Sequence, residues 1–490
     1  MFQAVLWGLL IFSLSLLVFS SKFSHVAAYR YPVRLPVVGH LYLLIRHRYL
    51  HHALACLNDR YGPSPLLLYF GSRRTLVVSS SAAVRQCFTY LDLNFTNRPM
   101  LLPGIHLNYN CTTMITLPYG PEWINLRRFA ALHIFSPAHL QAFSQLLSNR
   151  LCVHLRSLFR SGGEGEGFQQ VDWRWRMKEV VLDSLMEMII GRRQKGEGNE
   201  LVRMIDEAFQ MSAVVSPEEL LPWLSWMGTR RQMQRLQKEL DAQLQGMVDE
   251  KRGERAAEGD RKQSMMDTML DNPHYTDTTI KAMVQTMLLA GTDTTTTTLE
   301  WAMALLLNHP HLLQKLHGEI EAHVGHGRLV DPSDLPSLRC VTNVIKETLR
   351  LYPPGPLLVP RESVADCEVG GVAVPRGTML IVNAHKLHRD PELWEEPMQF
   401  KPERFEREGE GKGYKYVPFG CGRRRCPGEA MALSSIGLVL ASLVQCFEWK
   451  RIGEEEVDLT EEPGFSVPLA TPLLALCKPR DAMVDLLAQL

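Results

Sequence analysis

Apolar and polar positions change period along the chain, and the changes mark its parts. Residues 1–21 carry no charged side chain, and residues 4–19 are almost wholly apolar, Trp7 and Phe12 included. About 20 residues at roughly 1.5 Å rise span a bilayer core, so this stretch reads as a membrane anchor helix. Its charges, Lys22, Arg30 and Arg34, follow the run. A cleaved leader would carry them ahead of it, and positive residues usually stay on the cytoplasmic side. The anchor is therefore expected to remain uncleaved. Residues 22–39 read as a short basic, proline-bearing hinge, and residues 40–490 as one cytosolic body. Within that body, helical spacing predicts helices at 121–135, 138–160, 173–190, 199–212, 229–252, 277–308 and 311–323. Residues 66–70 and 75–79, split by 71–74, predict a β-hairpin, and short strands return at 366–382 around a Gly370-Gly371 turn. Residues 162–167 and 253–262 read as polar, flexible breaks. The fold class is mainly α with a small β region.

Composition narrows the picture. Lys and Arg number 53 and Asp and Glu also 53, so no whole-chain charge points to nucleic acid. Ten cysteines without framework spacing read as reduced, mostly buried thiols facing a cytosolic environment.

Chemistry concentrates at Phe419-Gly420-Cys421-Gly422-Arg423-Arg424-Arg425-Cys426-Pro427-Gly428. Cys426 precedes a long apolar run that predicts a helix from 427 to about 446. A helix N-terminus favours a thiolate, and Pro427 suits a first helical position. Gly422 and Gly428 let backbone approach a flat cofactor. This is a socket for an axial thiolate. Cys421 and Cys426 lack a second Cys/His pair nearby, which argues against zinc. A second concentration lies in the 277–308 helix, at Ala290-Gly291-Thr292-Asp293-Thr294-Thr295. Glycine and β-branched residues are poor helix-interior choices, and such breaches often mark function. Gly291 would open space against a flat ligand; Thr294 could bond back one turn or expose its hydroxyl. Residues alone leave two readings: a proton relay, or a threonine-rich helix bent for packing.

The spacing Phe-x-x-Gly-x-Arg-x-Cys-x-Gly, at Phe419, Gly422, Arg424, Cys426 and Gly428, resembles the haem-binding signature of the cytochrome P450 superfamily. Ala290 to Thr295 resembles its oxygen-activation motif, with Asp293 and Thr294 in the relay positions. Glu347-Thr348-Leu349-Arg350 is similar to its Glu-x-x-Arg pair, and Pro402-Glu403-Arg404-Phe405 to the segment supplying a second arginine. Buried together, Glu347, Arg350 and Arg404 would brace the scaffold, and losing one would strand a charge. Trp123-Ile124-Asn125-Leu126-Arg127 resembles the family's Trp-x-x-x-Arg helix. The resemblance implies Trp123, Arg127 and Arg424 as contacts for the haem propionates, with Arg98 and Arg361 as weaker candidates. It covers residues 30–480 in the family's order. The wording at 325–330, 387–391 and 445–450 is similar to plant A-type members, the subgroup holding isoflavone 2′-hydroxylases and sesamin synthase. Arg425, where the subgroup has a small residue, and Cys421, where it has leucine, depart from it.

The resemblance implies a P450 fold behind the anchor and haem b as cofactor, with Cys426 as axial ligand of the iron. It also implies a monooxygenase of the endoplasmic reticulum membrane, fed by NADPH–cytochrome P450 reductase and taking O2 and a small lipophilic substrate. No flavin or nicotinamide fingerprint appears in the chain itself. Arg423, Arg425, Lys412 and Lys415 could greet an acidic reductase. Pocket walls are expected from 100–118, 205–227, 284–294, 357–360 and 465–468, mostly apolar, including Leu101, Leu102, Ile105, Met287, Leu358, Val359 and Phe465. Plant phenolics lead as substrates, with terpenoids or xenobiotics as alternatives. A haem isomerase or dehydratase is the rival of another class, disfavoured by the Asp293-Thr294 pair. The oligomeric state is left open.

Overall fold

The structure, a computed structural model, describes residues 32–490 except 45–46, 63–64, 163–166, 192–197, 214–216, 222–227, 259–263, 408 and 410. The anchor expected at 1–21 lies outside the described residues, as do hinge residues 22–31. The remaining hinge residues dock: Leu35 and Val38 are buried, and Gly39 pairs with Phe70. Gly39 has φ +63°, and a Cβ there would lie 2.2 Å from the Tyr69 carbonyl oxygen. Only glycine permits that contact.

Helical spacing in the middle of the chain folds as its period requires. The main helices are α1 (Pro121–His133), α2 (Pro137–Ser161), α3 (Trp173–Ile190), α4 (Thr229–Glu258), α5 (Asp277–Asn308), α6 (Pro310–Val324), α7 (Arg339–Leu351) and α8 (Glu429–Cys446). Proline opens α1, α2 and α6, where its missing N–H leaves no intrahelical bond unmade. The break expected at 253–262 is displaced, because α4 runs through Gly253 to Glu258. Tertiary bonds hold that last turn: Arg252 pairs with Asp277, and Arg255 donates to the Asp267 carbonyl at 3.2 Å.

α5 is the axis of the molecule, with α3, α4, α7 and α8 packed around it. Its N-cap Thr276 accepts from the Thr279 N–H, and most of its side chains are buried. α8 is long and apolar enough to cross a membrane, yet most of it is buried in the core. The helix begins at Glu429 with Gly428 as N-cap, not at 427. Pro427 therefore precedes the helix, and Cys426 lies in the loop three residues before its first turn.

The β region is three small sheets. β1 (Leu66–Phe70) and β2 (Arg73–Val78) form the expected hairpin, closed by Gly71 and Ser72. β3 is Gln169–Asp172, β4 Arg361–Glu362, β5 Cys367–Val369, β6 Val372–Val374, β7 Met379–Val382, β8 Phe447–Lys450 and β9 Leu474–Pro479. The sheet orders are β1-β2-β7-β4, β3-β9-β8 and β5-β6. Gly370 and Gly371, φ +54° and +80°, make the β5–β6 turn where both central residues must be left-handed. All ten cysteines are unbridged; four of them (Cys87, Cys111, Cys446, Cys477) are fully buried, fewer than expected.

Candidate active site

The cysteine loop is a run of tight turns ahead of α8. Gly420 and Gly422 take φ +70° and +66°, which places Cys426 so that its N–H donates to the Phe419 carbonyl at 2.9 Å. At Gly422 a Cβ would lie 2.3 Å from an Asp92 carboxylate oxygen. Phe419 is half-buried against the core. A Cβ on Gly428 would sit 3.4 Å from the Phe135 ring and 4.0 Å from Cys426 Sγ, so the glycine keeps this wall low. Cys426 is exposed. Burial pushes its thiol up, opposed by the Gly428 N–H, Arg127 and Arg425. Burial thus works against the thiolate expected at a helix terminus, and a coordinated metal ion would favour the ionised form.

Four guanidinium groups gather beside this loop. Arg424 is buried, donates through Nε to Thr96 O and through Nη2 to Leu117 O, both at 2.7 Å, and leaves Nη1 with no partner. Its pKa is lowered to about 10 by burial, then by Arg361 and Arg127. Arg127 donates to the Arg425 carbonyl. Trp123 gives its indole N–H to Met114 O at 3.2 Å and lays its ring 4.4 Å beneath the Arg424 guanidinium carbon. That N–H is therefore committed within the protein, and the ring acts on the guanidinium beside it. Arg98 donates to the carbonyls of Val359 and Pro360 at 2.7 Å, and Arg361 to that of Cys421. Among the described residues, Asp92 is the only carboxylate paired with any of these four, 3.7 Å from Arg361.

This donor set fits a haem on two observations. An exposed thiol stands on the loop. Beside it lies a buried cluster of mutually repelling guanidinia, short of anions and holding one orphaned N–H, which suits carboxylates such as propionates.

On α5 one turn is open where its neighbours are buried: Ala290 is exposed, and Gly291, Asp293 and Thr294 are half-buried. Thr294 Oγ1 donates back to the Ala290 carbonyl at 2.7 Å. Asp293 does not face that hydroxyl; Ser466 Oγ donates to its carboxylate. Burial raises the Asp293 pKa, opposed by Ser466 and Lys178. Ser466 was placed by sequence on a pocket wall, with nothing to mark it as partner of the acid. Gly291 serves packing instead of opening space against a ligand: a Cβ there would meet Leu185 of α3 at 2.9 Å.

Glu347, Arg350 and Arg404 come together as expected. Arg350 donates to Glu347 at 2.7 and 2.8 Å and Arg404 at 3.0 Å, with Lys401 N–H on the same carboxylate at 2.9 Å. The spare guanidinium N–H groups go to the carbonyls of His388, Pro397 and Glu395 at 2.7 Å. Arg423 and Arg425 are not free cations: Arg423 pairs with Asp92 at 3.3 Å and Arg425 with Glu429 at 2.6 Å.

An apolar-cored, mainly helical fold around an accessible loop cysteine and an arginine cradle defines a haem-thiolate protein. The Cytochrome P450 family description matches residues 30–477, and the chain belongs to that family. It is a P450 monooxygenase whose cofactor is haem b. Cytochrome P450 81Q32 of Catharanthus roseus is 42% identical, over 92% of this chain and 91% of the relative. The (+)-piperitol/(+)-sesamin synthase CYP81Q2 of Sesamum radiatum is 39% identical (94% and 92%), as is an isoflavone 2′-hydroxylase of Glycyrrhiza echinata (92% and 91%). A zebrafish cytochrome P450 solved with abiraterone shares the fold, with TM-score 0.72 and 24% identity over 88% of this chain and 99% of that one.

Proposed function

We propose that this chain inserts one oxygen atom of O2 into a lipophilic plant phenolic of isoflavonoid, flavonoid or lignan type. The product carries a new hydroxyl group or a closed methylenedioxy bridge. The observation that carries the reading is the open turn of α5 and its neighbour. Ser466, held on Asp293, brings Phe465 alongside, and Phe465 meets Phe209 nearly edge-on with centroids 5.6 Å apart. Aromatic rings favour edge and offset contacts, so a flat aromatic substrate finds complementary surface there. Relatives named for an isoflavone and for a lignan support the same class.

In this reading Cys426 would hold the haem iron, Phe419 and Gly428 shape its loop, and Arg424, Arg127 and the Trp123 platform would receive the propionates. The bound haem supplies the oxygen-activating chemistry. Asp293, its proton affinity raised by burial, and Thr294 pass protons towards the open turn. Glu347, Arg350 and Arg404 brace the scaffold without touching substrate. Residues 1–21 anchor the body to the endoplasmic reticulum membrane on its cytosolic side, where NADPH–cytochrome P450 reductase supplies electrons. The test is expression with that reductase in microsomes, incubation with isoflavones, flavones and lignans, and mass spectrometry. Gain of one oxygen atom, or loss of two hydrogens on a methoxyphenol, is expected, dependent on NADPH. Turnover of terpenoids alone would overturn the substrate class.

A further inference from the structure

Outside the haem cradle, three segments far apart in sequence bring four metal-ligating side chains together. His51 and His52 come from the first turn of the helix Leu50–Tyr61, His385 from the turn Ala384–Leu387 after β7, and Glu461 from the C-terminal segment. One ligating atom from each lies within 4.8 Å of every other. His51 Nε2 is 2.8 Å and His52 Nε2 3.3 Å from the same Glu461 oxygen. The three imidazoles form a ring-to-ring triangle with centroid distances of 4.5, 4.8 and 4.6 Å.

One of the four ligating side chains holds a buried nitrogen that nothing satisfies. His385 Nδ1 is shielded from solvent and takes part in no hydrogen bond. Buried polar atoms are seldom left so, and each such case calls for an ion or water. The backbone around them is pinned. Asn383 donates to the His51 carbonyl at 2.9 Å and accepts from Lys386 N–H at 3.0 Å, while Tyr49 donates to the Glu461 carbonyl at 2.6 Å. Outer bonds of this kind orient metal ligands.

We propose that His51, His52, His385 and Glu461 form a structural zinc site that staples the start of the body to its C-terminal segment. Zinc takes nitrogen and carboxylate ligands at about 2.0–2.2 Å in a tetrahedron, which puts ligating atoms roughly 3.3 Å apart. His52 Nε2 and the Glu461 oxygen already have that separation at 3.3 Å, His51 Nε2 at 2.8 Å would move slightly outwards, and all four atoms lie within 4.8 Å of one another. Four protein ligands leave no open position, so the ion is structural and not catalytic. Arg389 faces the cluster, with its guanidinium carbon 5.4 Å from the Tyr352 ring centroid and its Nε and Nη1 unpartnered. Its charge opposes a cation and weakens the affinity. Lys386 is neutralised by Asp59 at 2.6 Å. The site also bears on the active centre, because Glu461 lies five residues before Ser466, the partner of Asp293.

The test uses tag-free full-length holoprotein, stripped with chelator, dialysed against zinc chloride and assayed for metal content. One zinc per haem is expected. In His385→Ala and His52→Ala, zinc affinity falls at least about tenfold, the lower end of what losing even an outer partner of a metal ligand costs. Haem content reports that the variants fold. Zinc-edge X-ray absorption of the wild type supplies a measurement independent of any variant, expected to show nitrogen and oxygen neighbours with imidazole scattering. Failure to take up zinc, uptake indifferent to both substitutions, or a sulfur-ligated zinc would overturn the proposal.

Discussion

Replacing Glu347 by Gln removes one negative charge from a place that solvent does not reach. Glu347 and Arg350 are fully buried and Arg404 is nine-tenths buried. The carboxylate accepts four hydrogen bonds, from Arg350 twice, Arg404 and the Lys401 N–H. A Gln amide presents one oxygen and turns its other end into a donor aimed at a guanidinium. Breaking a buried charged set by removing one member costs about 3–5 kcal/mol. Two cations lose their counter-charge here, which favours the upper end. Their bonds to the carbonyls of His388, Pro397 and Glu395 persist, so the loss should be about 4 kcal/mol, against a total stability of about 5–15 kcal/mol. The assay is urea unfolding followed by far-ultraviolet circular dichroism and haem absorbance. A large fall in midpoint and a smaller haem-loaded fraction are expected, while the molecules that do load keep their product per NADPH. A variant with unchanged midpoint and full haem content would refute the reasoning; lost product yield in fully loaded enzyme would show a chemical role.

Four further outcomes follow from the same geometry. Ser466→Ala removes a donor that holds the Asp293 pKa down, so that pKa rises further and the pH at which product per NADPH changes moves upwards; a profile identical to wild type would deny the contact any role. Thr294→Ala should lower product formed per NADPH consumed, read from product and peroxide together, with little change in thermal midpoint. Arg424→Met strips a charged donor from the cradle and should speed haem transfer to apomyoglobin about tenfold or more. Asp277, held to about 2 by its bonds from Arg252 and Gln245, is ionised more readily when folded, so its contribution is present above about pH 4 and disappears as pH falls through about 2. Because the pair is partly exposed, Asp277→Asn should cost only about 0.5 kcal/mol at neutral pH and progressively less as pH falls through about 2, measured by denaturant midpoints.

How much the sequence disclosed depended on the range of the signal. The boundaries of α3 and α5 and the β1–β2 hairpin were legible because amphipathic period and turn chemistry are local. The Glu347–Arg350 pair was legible because its spacing is short. What escaped was contact across the chain. Ser466 reaches Asp293 from 173 residues away, and His51 reaches Glu461 across 410. Neither partner carries a local mark of its role. Gly291 was misjudged for the same reason, since only the position of Leu185 shows which side of α5 the missing Cβ serves. The anion hunger of Arg424 emerges only once the other guanidinia are seen crowding it.

The short stretch that carries Phe465 and Ser466 has one further consequence. In the proposed reading its ring helps shape what the enzyme accepts, and the next residue opposes the burial that raises the proton affinity of the acid on α5. A shift of this backbone that admits a different guest must also disturb proton delivery. In this lineage, changes of diet and changes of catalytic economy should therefore be inherited together.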